Sequence, residues 1–166
     1  YRGKKEYGGG ALYDIGCYCV NITRFIMGEE PRKVTAISSL HPSFKIDTTT
    51  SAILEFSEEK YGILFSSFEI PSHQFCEISG TEGILILTLP FLPGRNSSEI
   101  ILRKGNRSEN IRIEYTDPYT AEVEHFSECI IKNLPPLISE EDSINNSIVL
   151  DGIFESIKNN CVVSLK

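Results

Sequence analysis

The sequence predicts an α+β domain in which a large, open, mostly antiparallel sheet carries helices packed on one face. Three observations predict it. Apolar residues repeat with the helical period over residues 11–27, with period two in seven segments between residues 33 and 115, and with the helical period again from residue 118. The connections between the period-two segments are short and polar, and the helical runs of about 10–15 residues that would join parallel strands are absent. A chain of 166 residues with 40% hydrophobic and 23% charged residues can bury one core without disulfides or metal.

The elements follow in order. A basic, glycine-containing lead (residues 1–7) runs into Gly8-Gly9-Gly10 and then a helix. Leu12, Ile15, Cys19, Ile22 and Ile26 fall within an arc of about 80° at the helical step of about 100° per residue, which predicts a core-facing stripe. Gly28 suits a left-handed cap, and Pro31 cannot continue the helix. Lys33–His41, Ser51–Ser57, Tyr61–Ile70, Phe75–Ser79, Gly83–Leu89, Glu99–Lys104 and Asn110–Tyr115 read as strands, with hairpin turns at 57–60, 80–83 and 105–108. Ala52, Leu54 and Phe56 on one side, with Ile53 among the residues between them, leave both faces of that strand partly apolar, which favours a sheet face used in association. Pro118–Asn133 places Val123, Phe126 and Ile130 on one side and ends before Pro135-Pro136. Ser139-Glu140-Glu141-Asp142 opens a last helix that runs to about Asn159 with Val149, Leu150, Ile153 and Ile157 on its apolar face, and Cys161–Leu165 closes as a short strand.

Composition excludes several functions. The net charge of −7, with no basic stripe, argues against a nucleic-acid surface. No apolar run approaches the ~20 residues of a membrane span and no leader pattern opens the chain, so a soluble, cytoplasmic protein is expected. The five cysteines are odd in number and lie mostly in apolar patterns, as reduced thiols do; Cys17 and Cys19 point apart on a helix and make no metal pair. The sequence holds no HExxH, CxxC or GxSxG, so no metal site or hydrolase centre is expected. The sequons at Asn96 and Asn106 would matter only in a secreted protein. Tyr1 at the start and Met27 as the single methionine lead to the expectation of a piece of a longer chain.

Chemistry has two candidate seats. The triple glycine could present amides to a phosphate, but no strand precedes it and no GxGxxG context surrounds it, so it reads as a close-packing entry to the helix. On the helix itself, Asp14, Tyr18 and Asn21 lie at about 0°, 40° and 340°, along one edge. That edge is either a solvated face or a site for a polyhydroxylated or carbonyl substrate, with Asp14 and Asn21 holding hydroxyls and Tyr18 passing a proton. A phenol with a pKa of about 10 needs a cationic neighbour for such work near neutrality. His41, His73 and His125 read as structural residues.

The segment GGGALYDIGCYCVNITRFIMGEEPRKV resembles the opening of the C-terminal domain of the glucose–fructose oxidoreductase / inositol dehydrogenase / MocA-type family. EISGTEGILIL, YTAEVEHFSECI and PPLISEEDSINNSIVLDGIFESI resemble later signatures of that domain in the same order. The resemblance covers nearly all of residues 7–166 and implies the C-terminal domain of a two-domain, NAD- or NADP-dependent oxidoreductase acting on a sugar, polyol or related alcohol. It implies that Asp14 orients substrate and Tyr18 is the acid/base of the family's Asp-xxx-Tyr motif, closest to the glucose–fructose oxidoreductase, xylose dehydrogenase and dihydrodiol dehydrogenase branch, with Asn21 continuing the face. It further implies homo-oligomerisation. The family's Rossmann domain, with its glycine fingerprint and the Glu-Lys-Pro lysine that would lower the tyrosine's pKa, has no counterpart here, so the chain alone is expected to be inactive. The alternative expectation is a non-enzymatic dimerisation or sugar-sensing module.

Overall fold

Each segment read as a strand forms one. The computed structural model describes residues 2–94 and 97–165; Tyr1, Arg95, Asn96 and Lys166 lie outside the described residues, and with them the start of the lead and the asparagine of the sequon at Asn96. A 3₁₀ turn, Lys5–Tyr7, precedes a π turn, Leu12–Gly16, which passes directly into α1 (Cys17–Met27). Then come β1 (Lys33–Leu40), β2 (Asp47–Glu55), β3 (Tyr61–Ser67), β4 (Cys76–Gly80), β5 (Gly83–Leu87), β6 (Ser98–Lys104) and β7 (Arg107–Ile113). Helices α2 (Pro118–Lys132) and α3 (Glu140–Asn159) and the two-residue β8 (Val163–Ser164) finish the chain. The architecture is α+β, and every strand pairing among the described residues is antiparallel.

The strands divide between two four-stranded ladders, β3-β2-β1-β8 and β4-β5-β6-β7, where the sequence suggested one continuous sheet. Proline explains the break. After Phe68, whose N–H still reaches Thr48 O at 2.8 Å, the chain meets Pro71, which has no N–H to give to a ladder, and pairing resumes only at Cys76. The chain accordingly forms two compact units, Tyr1–Pro71 with Ile138–Lys166, and Ser72–Leu137. Two of the hairpins form at the expected turns between β4 and β5 and between β6 and β7. In the third, between β2 and β3, Glu58 and Glu59 take φ of 53° and 58°, the mirror-type turn whose twist matches the strands.

In the first unit the π turn, α1 and α3 cover one face of the sheet. The core joins Leu12 and Val20 to Val34, Ala36, Ala52, Leu54, Phe56 and Leu64 from the strands and to Val149, Leu150 and Ile153 from α3, as the sequence expected for that helix. For α1 the stripe is corrected. The buried line runs through Leu12, Gly16, Val20 and Arg24, while Ile22 and Ile26 are only half-buried. A π turn takes about one residue more than an α turn, so the 3.6-residue repeat that resumes at Cys17 is out of phase with a count begun at Leu12.

The second unit buries little: Cys129 is its one fully buried hydrophobic residue among those described. Helix α2 is well formed locally, with Asp117 Oδ1 accepting from the N–H groups of Tyr119 and Thr120 and Asn133 closing in a left-handed cap. Its expected apolar side, Val123, Phe126 and Ile130, is exposed.

Candidate functional site

The three glycines bring the chain into close contact with itself. Gly9 N and Gly10 N donate to the carbonyls of Lys4 and Arg2 at 3.0 and 3.1 Å, and a Cβ on Gly9 would lie 2.4 Å from Arg2 O. Gly10, at φ 126°, passes over the side chain of Asp47, where a Cβ would come within 2.0 Å of Oδ1. The next free amide at the helix start, Leu12 N, donates to Asp47 Oδ2 at 2.7 Å. An internal carboxylate therefore holds the place that an anion takes at a helix N-terminus.

The π turn then presents Asp14. Its side chain is 11% exposed and paired with Arg2, whose Nε lies 3.0 Å from Oδ1 and 2.9 Å from Oδ2. Tyr18, four residues on and in the first turn of α1, is 58% exposed. Asn21 is placed differently. It faces α3, where its Nδ2 donates to Asp142 Oδ2 at 3.4 Å, and it lines an open cavity of about 320 Å³ with Arg24, Phe25, Glu30, Ile138 and Asp142.

Two features here were not read from the sequence. Tyr13, beside Asp14, is tied to α3: its hydroxyl donates to Asp151 Oδ1 at 3.2 Å and its ring packs on Phe154 at a centroid distance of 4.8 Å. Burial first, and the Asp151 carboxylate second, push its phenol above the usual tyrosine value. Its hydroxyl is thereby anchored to α3, and of the two tyrosines flanking Asp14 the more exposed is Tyr18. The other feature is Arg24, buried in the α1–α3 contact, with a fork to Glu30 at 2.6 and 2.7 Å, an ion pair to Asp142 at 3.0 Å and a bond to Asn146 Oδ1 at 3.3 Å. Asn146 in turn donates to Cys17 O at 3.3 Å. The signal for this network was a lone arginine in line with apolar Val20, followed by a glutamate just past the helix cap.

The histidines serve turns and loops. His41 Nδ1 accepts from the N–H groups of Ser43 and Phe44 at 3.2 Å each, and His125 Nε2 accepts from Leu137 N at 3.0 Å. Among the described residues no group of three or more His, Cys, Asp or Glu is arranged to hold a metal ion, and no helix is long and apolar enough to cross a membrane.

Comparison with known proteins adds a family to this geometry. The family described as the GFO/IDH/MocA C-terminal domain matches residues 1–86, just over half of the chain. The trans-1,2-dihydrobenzene-1,2-diol dehydrogenase of Xenopus laevis is 34% identical over 163 residues, covering 93% of this chain and 48% of that protein. The D-xylose 1-dehydrogenase (NADP(+)) 2 of Haloferax volcanii is 27% identical over 161 residues, covering 96% of this chain and 49% of that protein. The chain thus spans about half the length of the curated relatives it matches. Among solved structures, the aldose–aldose oxidoreductase of Caulobacter crescentus complexed with glycerol superposes with a TM-score of 0.85 at 22% identity, over 95% of this chain and 48% of that one. The 3-ketoreductase KijD10 of Actinomadura kijaniata, with NADP and TDP-benzene, does so with a TM-score of 0.87 at 20% identity, over 94% and 48%. At such identities the structures show the fold. With the family match over residues 1–86, the conclusion is that this chain belongs to the GFO/IDH/MocA C-terminal domain family.

Proposed function

We propose that residues 1–166 are the substrate-binding and oligomerisation part of an NAD- or NADP-dependent oxidoreductase that acts on a sugar, polyol or related alcohol by hydride transfer. Residues 1–7 are then the tail of a linker from a dinucleotide-binding domain. The observation that carries this reading is the placement of a mostly shielded Asp14, held by Arg2, four residues before the largely exposed side of the helix start at Tyr18. The relatives' names, dehydrogenases and oxidoreductases, support it.

In this reading Asp14 accepts a hydrogen bond from a substrate hydroxyl and orients it, and the Tyr18 oxygen takes or returns the hydroxyl proton. Asn21 completes the set as a substrate contact, its long bond to Asp142 being the one that yields. A bound nicotinamide cofactor supplies the hydride chemistry. The glycine-rich helix entry does not fit its phosphates, because the amides of Gly9, Gly10 and Leu12 are engaged by Lys4 O, Arg2 O and Asp47. The cofactor is therefore assigned to the half of the relatives that this chain does not span, and the chain alone is inactive. A similar dehydrogenase named for NADP(+) and a similar ketoreductase solved with NADP support that cofactor class. The five free cysteines accord with a cytoplasmic location.

The test is steady-state turnover of aldoses and polyols by the intact gene product with NAD and NADP. Reduction of either cofactor by a member of the panel is expected; none across the panel overturns the reading and leaves the non-enzymatic dimerising or sugar-sensing module.

Oligomerisation rests on the outer face of the first sheet. Ile37, Ile53 and Phe65 are all exposed there and Ile63 is 80% exposed, with Ile53 and Ile63 directly paired across β2 and β3. An exposed apolar face of this kind is covered, in this reading, by a second copy. Sedimentation velocity is expected to show a dimer or larger species that Ile63→Lys reduces to monomer; an unchanged species in the variant excludes this face as the interface.

A further inference from the structure

We propose that Asp47 is a positioning residue: from the start of β2 its buried carboxylate fixes the backbone of the π turn that carries Asp14 and leads into the helix of Tyr18. The inference rests on the proposed reading of those two residues.

Asp47 is 2% exposed and belongs to a strand 35 residues distant in sequence from the turn it grips. Its Oδ2 accepts both from Leu12 N at 2.7 Å and from Thr50 Oγ1 at 3.0 Å, so the strand's own threonine orients the carboxylate toward the helix start. Leu12 opens the π turn, and its amide is one of the donors that a helix start leaves without an intrahelical acceptor. Because Leu12 is completely buried, that donor has no access to water, and a charge-assisted bond to a fixed carboxylate is its internal partner. Oδ1 is buried without a protein donor, close beneath Gly10. The carboxylate is thereby confined from both sides, with Thr50 and Leu12 on one oxygen and the Gly10 backbone against the other.

This arrangement bears on the site through distance along the helix. Asp14 lies two residues beyond the anchored amide and Tyr18 six, and Asp14 N donates back to Gly10 O at 3.1 Å. A rotation of the turn at Leu12 therefore moves both groups together. Misplacing a reacting group by about 1 Å costs on the order of 10²-fold in rate. An aspartate that only stabilised the fold would change the amount of folded protein and not the rate of what remained.

The experiment compares wild type, Asp47→Ala and Asp47→Asn in the intact gene product, well below the melting temperature of each, by amide hydrogen exchange and by steady-state kinetics. With Asp47→Ala, exchange at Leu12–Gly16 is expected to accelerate about tenfold or more while β1–β3 keep wild-type protection. The kcat is expected to fall about 10²-fold with the cofactor KM within about twofold. Asp47→Asn, which keeps an acceptor oxygen, is expected to recover most of both. Unchanged exchange at Leu12–Gly16, faster exchange with unchanged kcat, or a uniform loss of protection across the sheet each overturns the proposal. If wild type turns over no substrate, the reading of Asp14 and Tyr18 fails, and the exchange arm still decides whether Asp47 fixes the turn.

Discussion

Tyr18→Phe in the intact gene product is expected to lower kcat by about 10²–10⁴-fold, the usual contribution of a positioned acid/base. Stability is expected to stay within about 0.5 kcal/mol, because the residue is more than half exposed and phenylalanine keeps the ring. Tyr13 is bonded to Asp151 and stacked on Phe154, and its phenol is pushed above the usual value. Tyr18 is more than half exposed, one turn beyond Asp14. If Tyr18 moves the substrate proton, turnover is lost in Tyr18→Phe and retained in Tyr13→Phe. A Tyr18→Phe enzyme with wild-type kcat would remove Tyr18 from the chemistry, whatever the substrate.

The strands were legible because their signals are local. Period-two alternation and the turns at 57–60, 80–83 and 105–108 sit within a few residues of what they specify, and all appear in the structure. The α1 stripe was misread because a single π turn, invisible to a 100° wheel, shifts the phase, burying Val20 and Arg24 while Ile22 and Ile26 are left half-buried. Whether β3 and β4 continue one sheet depends on how the chain turns at Pro71, which periodicity does not encode.

At the site, the triple glycine was legible as a close-packing element, but the atoms it packs against were not. Asp47 lies 35 residues beyond Leu12, and Asp151 lies 138 residues beyond Tyr13. Asn21 shows the same gap in another way. Spacing put it on the edge of Asp14 and Tyr18, and only the arrival of α3 reveals that its amide meets Asp142. A helical wheel ranks residues by direction around one helix; which direction another helix occupies is tertiary information.

Arg24→Met is expected to destabilise the protein by about 2–3 kcal/mol near neutral pH, without changing the urea m-value. The substitution keeps the volume of the side chain but removes one partner of the network, so Glu30 and Asp142 lose their shared cation in the α1–α3 contact. The loss falls at the lower end for a buried ion pair because the Glu30 and Asp142 side chains are partly exposed and regain water. The pH dependence fixes the sign. The hydrogen-bonded fork from Arg24 holds the Glu30 carboxyl below its ordinary value of 4.5, so its contribution is complete above about pH 4.5 and is lost as pH falls through the lowered folded value. In the methionine variant that depression is largely gone, leaving less to lose in acid. The stability gap between wild type and variant should therefore be widest near pH 7 and should narrow below about pH 4.5. Urea titrations of both proteins at about pH 7 and about pH 3.5 measure this directly, and a gap that is absent at neutrality or equally wide at both pH values would show that Arg24 holds α1 to α3 by packing rather than by charge.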